Sequence, residues 1–339
     1  MRYTALTLAF LSIGCVAAAA ADPPKAEISN GQIQAKLYLP DSRDGFYRGT
    51  RFDWAGVIGS LEYRGHNFYG PWFTQFDPAV RDFVYKDADI VAGAASAITG
   101  PSDEFQKPLG YDAAKAGETF VKIGVGVLRK PDDAAYAAFR PYEIVDGGKW
   151  SVRRGKDYVE FTQLLNDPRT GYGYEYRKTV RLAGGRPEMT IEHSLKNTGR
   201  TAIRSNVYNH NFLVLDKSGP GPDLVTTLPF EIKTPRAPAA ELAEISGKRI
   251  LYKKALEKQE RVFFPIQGFS AEAKDYDVRI ENSKAGVGMR IAGDQPLASA
   301  TLWSIRSVMA IEPFVDISVD AGQEFHWKYT YAYYALPGR

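Results

Sequence analysis

The chain has 339 residues, 44% hydrophobic and 24% charged, a balance that supports a large buried core and excludes a disordered chain. Its 43 basic and 40 acidic residues leave a formal charge of +3, too even to imply nucleic acid or an anionic membrane surface as partner. Aromatic residues at 13%, with 31 Gly and 20 Pro, favour short strands joined by tight turns, hence an all-β fold.

The N-terminus has the pattern of an export signal: Arg2, an apolar run from Ala5 to Val16, and the small residues Ala17 to Ala21 before "DPPK". The expected boundaries are a signal peptide over 1–21 and one domain over 22–339. Cleavage near Ala21 removes Cys15, the only cysteine, and lowers the charge to +2 by taking Arg2. The lesser reading is a lipoprotein, since "LSIGC" resembles a lipobox but has Ser12 where leucine is usual. No later segment reaches the roughly 18 uninterrupted apolar residues of a membrane span. The mature protein is therefore expected to be periplasmic or secreted.

The first chemistry-rich stretch is "FYRGTRFDWAGVIGSLEYRGHNFYGPWF" at 46–73. Arg48, Arg51, Asp53, Trp54, His66, Tyr69 and Trp72 are candidates to line a polyol pocket, because arginine makes fixed, forked contacts to oxygens and tryptophan stacks on sugars. The competing account is a glycine-rich hairpin with a surface ion pair. The stretches 76–89 and 99–112 read as loops. "TFVKIGVGVLRK" at 119–130 reads as one strand, with Val121, Ile123, Val125 and Val127 on a face. "DDAAYAAF" at 132–139 and "APAAELAEISGK" at 237–248 are the best helical segments. "YEYRKTVRL" and "PEMTIEHSLKN" flank the turn "AGGRP", giving a hairpin. His193 is in phase with Met189, Ile191 and Leu195, which marks it as a core or edge histidine.

In "SNVYNHNFLVLD" at 205–216, strand phase puts Asn206, Tyr208, His210 and Phe212 on one face. That face suits a sugar, with aromatic planes for the C–H surface and Asn and His for hydroxyls. The plainer reading is a loop with a satisfied structural histidine. Further on, Glu312 precedes Pro313, which is expected to stop the strand as a central ladder and leave the carboxylate partly desolvated, where its pKa can rise. The plainer reading there is a solvated strand end. "EFHWKYTYAYYAL" closes the chain as a long strand with Phe325, Trp327, Tyr329, Tyr331 and Tyr333 on one side, leaving His326 exposed.

No G-x-S-x-G, Walker loop or H-E-x-x-H occurs, and four dispersed histidines give no basis for a metal site. No cofactor is expected. The oligomeric state is not fixed by the sequence.

In order along the chain, these pieces resemble the aldose 1-epimerase (galactose mutarotase-like) superfamily. The likeness rests on "NVYNHNF", on Glu-Pro within "WSIRSVMAIEPFVDISVDAGQEFHWKYTYAY", on the opening "NGQIQAKLYLP", and on the arginine of "YRGTRFDWAG". It implies a large two-sheet β-supersandwich, with His210 as general acid, Glu312 as general base and Arg51 on sugar hydroxyls. Substrate contacts are further expected from Asp53, Trp54, His66, Asn206, Tyr208 and Trp303. The Asp-His pair and Leu-His-Gly-Gly context of galactose-type members are absent, so galactose specificity is not implied. The expected partner is a mono- or oligosaccharide, and the expected reaction is anomer interconversion, with an acid and a base placed across the pyranose. The alternatives are a noncatalytic carbohydrate-binding module, a lyase or glycoside-processing enzyme on the same fold, or a structural envelope protein.

Overall fold

Period-two alternation carries most of the chain into antiparallel strands in the computed structural model, which describes residues 22–337. The expected signal peptide lies outside those residues. Two sheets form the body of the molecule. A ten-stranded sheet runs from Lys149–Arg154 at one edge to Ala243–Ser246 at the other, with Glu188–Asn197 beside Glu324–Ala335 near its middle. A five-stranded sheet has the order Arg261–Ile266, Ser299–Ile305, Val308–Val319, Ile203–Leu213, Gly100–Phe105. Three smaller sheets lie within 25–67, 75–92 and 119–146. No helix among the described residues is long and apolar enough to cross a membrane.

The aromatic strand near the C-terminus does what its pattern predicts: Trp327, Tyr329, Tyr331 and Tyr333 are fully buried. The hairpin at 183–187 is present, and His193 is buried in phase with Met189, Ile191 and Leu195. His326 faces solvent.

Several expectations are corrected. The stretch 119–130 is two strands, Thr119–Lys122 and Gly126–Arg129, because Gly124 takes a positive φ of 77° and turns the chain. A Cβ at Gly124 would lie 2.7 Å from the Asp53 carboxylate. Neither helical segment is a helix. At 132–139 the Asp132 carboxylate accepts from the Ala134 amide and from Arg140, a local turn that competes with helix formation. At 237–248 the chain instead enters a hairpin, Ala243–Ser246 against Arg249–Tyr252, turning at Gly247 with φ 60°. Pro313 does not stop its strand: Val308–Val319 runs through it between two neighbours, and only the ladder to Ile203–Leu213 opens there.

The largest difference lies in 99–112. "GPSDEF" is no loop but a fully buried edge strand, Gly100–Phe105. Asp103 and Glu104 are adjacent, so they point to opposite faces of the sheet. Asp103 faces the space between the sheets. There Lys178 Nζ lies 2.7 Å from it and 3.2 Å from Asp53, while His193 Nε2 approaches Asp103 at 2.9 Å. Asn209 donates to Asp103 at 3.0 Å and Tyr176 to Asp53 at 2.9 Å. Burial opposes the Asp103 charge, but Lys178 and His193 hold its carboxyl well below the usual range. Burial, with Asp103 nearby, pushes Asp53 up against the pull of Lys178.

Removing the cation from this network leaves two buried carboxylates without their shared partner. Lys178→Met is expected to cost about 3–5 kcal/mol of unfolding free energy, measured by urea denaturation; a loss below about 1 kcal/mol would contradict the network's role.

Candidate active site

The outer face of the five-stranded sheet carries the candidate site. Tyr208 stands opposite Phe314 and Asn211 opposite Ile311, with no register change between, so His210 falls opposite Glu312 at the gap in the ladder. Pro313 lacks the amide hydrogen that would help close that gap. The His210 Nε2 to Glu312 Oε1 distance is 3.0 Å, and the two side chains are 5% and 12% exposed. Thr301, across on the next strand, donates its hydroxyl to the other Glu312 oxygen. The imidazole stacks on Phe212 at 3.6 Å between ring centroids, and its Nδ1 is buried without a partner among the described residues.

Burial pushes the His210 pKa below its ordinary 6.5, with Glu312 opposing and Arg51 assisting the shift. Burial acts on Glu312 to raise its pKa, but His210, the Thr301 hydroxyl and Arg51 outweigh it and hold the carboxyl below 4.5. The expectation of a raised Glu312 pKa is thus corrected: desolvation is real, yet its hydrogen-bond donors dominate. The resting pair near neutral pH is a carboxylate beside a neutral imidazole.

These two groups form part of the floor of a cleft of about 360 Å³. Its walls include Arg51, Trp72, Phe212 and Trp303. Arg51 is fixed on every side. Its Nε donates to Glu104 at 2.6 Å and its Nη2 to Tyr208 at 2.8 Å, and its guanidinium lies 4.4 Å from the ring centroids of both Phe52 and Phe139. Behind it Lys122 Nζ is 3.6 Å from Glu104, and burial together with Arg51 pushes that ammonium down to about 8.

The structure brings His210, Glu312, Arg51, Trp72 and Trp303 together at the cleft and places the other candidates elsewhere. Asp53 is enclosed in the network between the sheets. Trp54 is buried, donating its indole N–H to the Gly49 carbonyl, and borders a separate hollow near Trp150. His66 pairs with Asp216 at 2.7 Å near the turn that follows the His210 strand. Asn206 shares the phase of His210 but lies beyond the cleft, its amide donating to Gln106 at 3.3 Å. Tyr208 is a support, since its hydroxyl is held by Glu104 and Arg51 and does not line the cleft.

Sequence reasoning missed Asp82, Phe83 and Ser96, which the stretch 76–98 brings to the wall, and Phe139, Arg236, Arg261 and Phe263. Phe139 and Phe263 stand out only in the structure, as large apolar side chains left 38% and 36% exposed.

No protein-family model matches the sequence, and no curated protein is significantly similar to it. Solved structures are. A galactose mutarotase-like protein from Clostridium acetobutylicum shares 10% identity at a TM-score of 0.52, covering 91% of this chain and 95% of its own. An aldose epimerase homologue from C. elegans shares 15% identity at a TM-score of 0.51, covering 92% of this chain and 99% of its own. The fold is therefore that of the galactose mutarotase-like β-sandwiches, and at this identity the reaction must be argued from the residues.

The pair makes a direct prediction. In Glu312→Gln the group that opposes burial is gone, so the His210 pKa, followed by NMR of its ring protons, is expected to fall further below 6.5 than in the wild type. A rise would contradict the coupling.

Proposed function

We propose that this chain is an exported aldose 1-epimerase-like enzyme that interconverts the anomers of a reducing sugar by general acid/base catalysis. The observation that carries this reading is the 3.0 Å His210–Glu312 pair in the floor of an aromatic- and arginine-lined cleft. The two oxygens on which anomerisation acts, the C1 hydroxyl and the ring oxygen, share one carbon. A base and an acid standing side by side suit that geometry better than groups on opposite sides of the ring, and this revises the arrangement expected from sequence.

In the forward step Glu312 takes the proton of the C1 hydroxyl and protonated His210 gives one from Nε2 to the ring oxygen. The bond from C1 to the ring oxygen breaks, and C1 becomes an aldehyde carbon. Rotation about the C1–C2 bond presents the other face. On closure His210 recovers its proton from the C5 hydroxyl, and Glu312 returns its own to the aldehyde oxygen, so the protein is unchanged. Arg51, held rigid by Glu104 and Tyr208, supplies directed donors to sugar oxygens, and Trp72 and Trp303 supply apolar faces. Export rests on the residue pattern of 1–21.

Polarimetry of freshly dissolved α-anomers across a panel of aldoses tests the reading. Faster decay of rotation is expected for at least one sugar, falling roughly 100- to 10,000-fold in His210→Ala or Glu312→Gln. No acceleration with any aldose would sink it. The pH profile has a fixed sign. Because both pKa values are lowered, kcat/KM is expected to fall as pH rises through that of His210, below 6.5. It should fall again as pH drops through that of Glu312, below 4.5. An optimum above pH 8 would assign the proton donor to another group.

A further inference from the structure

Three arginines reach the cleft, and they differ in how their charge is used. Arg51 is committed to Glu104. Arg236 and Arg261 are exposed, come from separate segments, and have no carboxylate within ion-pairing distance among the described residues. Both nonetheless gather at one ring: their guanidinium carbons lie 5.1 Å and 6.0 Å from the Phe263 centroid. Two such cations beside one aromatic ring in the lining of one cleft raise the positive potential there, and an anion arriving in that part of the cleft relieves it. Asp82 is the other acidic group in the wall besides Glu312. Its carboxylate accepts from the Ser96 hydroxyl, and burial raises its pKa against the pull of that hydroxyl and of Arg51, His210 and Arg261; among the described residues it makes no ion pair with either arginine.

The strand register says where the pair stands relative to the chemistry. Glu312 is opposite Thr301, and Thr301 opposite Pro265, so Arg261 lies two strands across and four residues along from Glu312. At ordinary strand spacing and rise this is roughly 16 Å between Cα atoms, with both side chains in the lining of the same cleft.

We propose that Arg236 and Arg261 form an anion subsite, and that the sugar taken by this cleft carries a carboxylate, phosphate or sulfate at the end remote from its anomeric carbon. The sugar itself rests on the epimerase reading; the anion subsite does not.

The test uses the mature chain with D-galacturonate, glucose 6-phosphate and galactose 6-sulfate against D-galactose and D-glucose. Binding is followed by titration calorimetry and anomer exchange by NMR. At least one acidic sugar is expected to bind about tenfold tighter than its neutral counterpart, and to weaken as salt is raised. Which acidic sugar leads identifies the anion. In the Arg236→Gln, Arg261→Gln double variant, with an unchanged circular dichroism spectrum, the acidic-to-neutral affinity ratio should fall about tenfold. Arginine-dependent binding without anomer exchange would uphold the subsite and remove the epimerase reading. Exchange confined to neutral sugars, equal affinity for both classes, no acidic binding, or a ratio unmoved by the double variant would overturn the subsite.

Discussion

Everything in the cleft depends on two consecutive acidic residues in a buried strand. Asp103 and Glu104 are almost without solvent exposure, and their alternation sends one carboxylate between the sheets and the other to the opposite face, behind the cleft-lining Arg51. Carboxylates so placed are tolerated only when cations and hydrogen bonds replace lost water. Asp103 meets Lys178, His193 and Asn209. Glu104 meets Arg51, Lys122 and Tyr208. The inner set ties the His210 strand to the ten-stranded sheet, and the outer set fixes the arginine that lines the cleft. Packing and site are thus two sides of one strand.

The neighbouring strand repeats the division. Asn209 and Asn211 turn inward to the Tyr331 hydroxyl, 2.8 Å and 2.7 Å away, while Tyr208, His210 and Phe212 turn outward. The asparagines around His210 are therefore anchors, not loop formers. They pin the strand against the aromatic face of the C-terminal strand, leaving His210 the freedom only to face Glu312. A short, partly desolvated contact of this kind couples the titrations of its members, so the two protons belong to the pair as much as to either residue.

Much of this was legible in the sequence, for identifiable reasons. Strands with one apolar face, such as Glu188–Asn197 and Glu324–Ala335, announce themselves by alternation. His210 and Glu312 stood out because a polar group in an apolar run is costly unless used. The strand Gly100–Phe105 did not, because its ions are paired with residues dozens of positions away, and a one-dimensional pattern cannot display that compensation. Asp53 misled for the same reason, consumed by the distant Lys178, whereas Trp54 misled because its indole N–H is spent locally on the Gly49 carbonyl. The short helical segments failed where side-chain turns and glycine outweighed alanine content. Arg236 and Arg261 have no motif; the sheet order brings Arg261 to the cleft, and Arg236 comes from a loop tied beside that strand by the Lys233–Gln267 bridge.

The central claim is that one sugar carbon lies against both His210 and Glu312. A crystal structure of Glu312→Gln soaked with a reducing sugar that the wild type binds tests it most directly. The expected result is a pyranose in the cleft whose C1 hydroxyl and ring oxygen are within hydrogen-bond reach of the residue-312 side chain and His210 Nε2, about 3 Å each. A sugar bound with its anomeric carbon turned away from that pair, or bound outside the cleft, would contradict it.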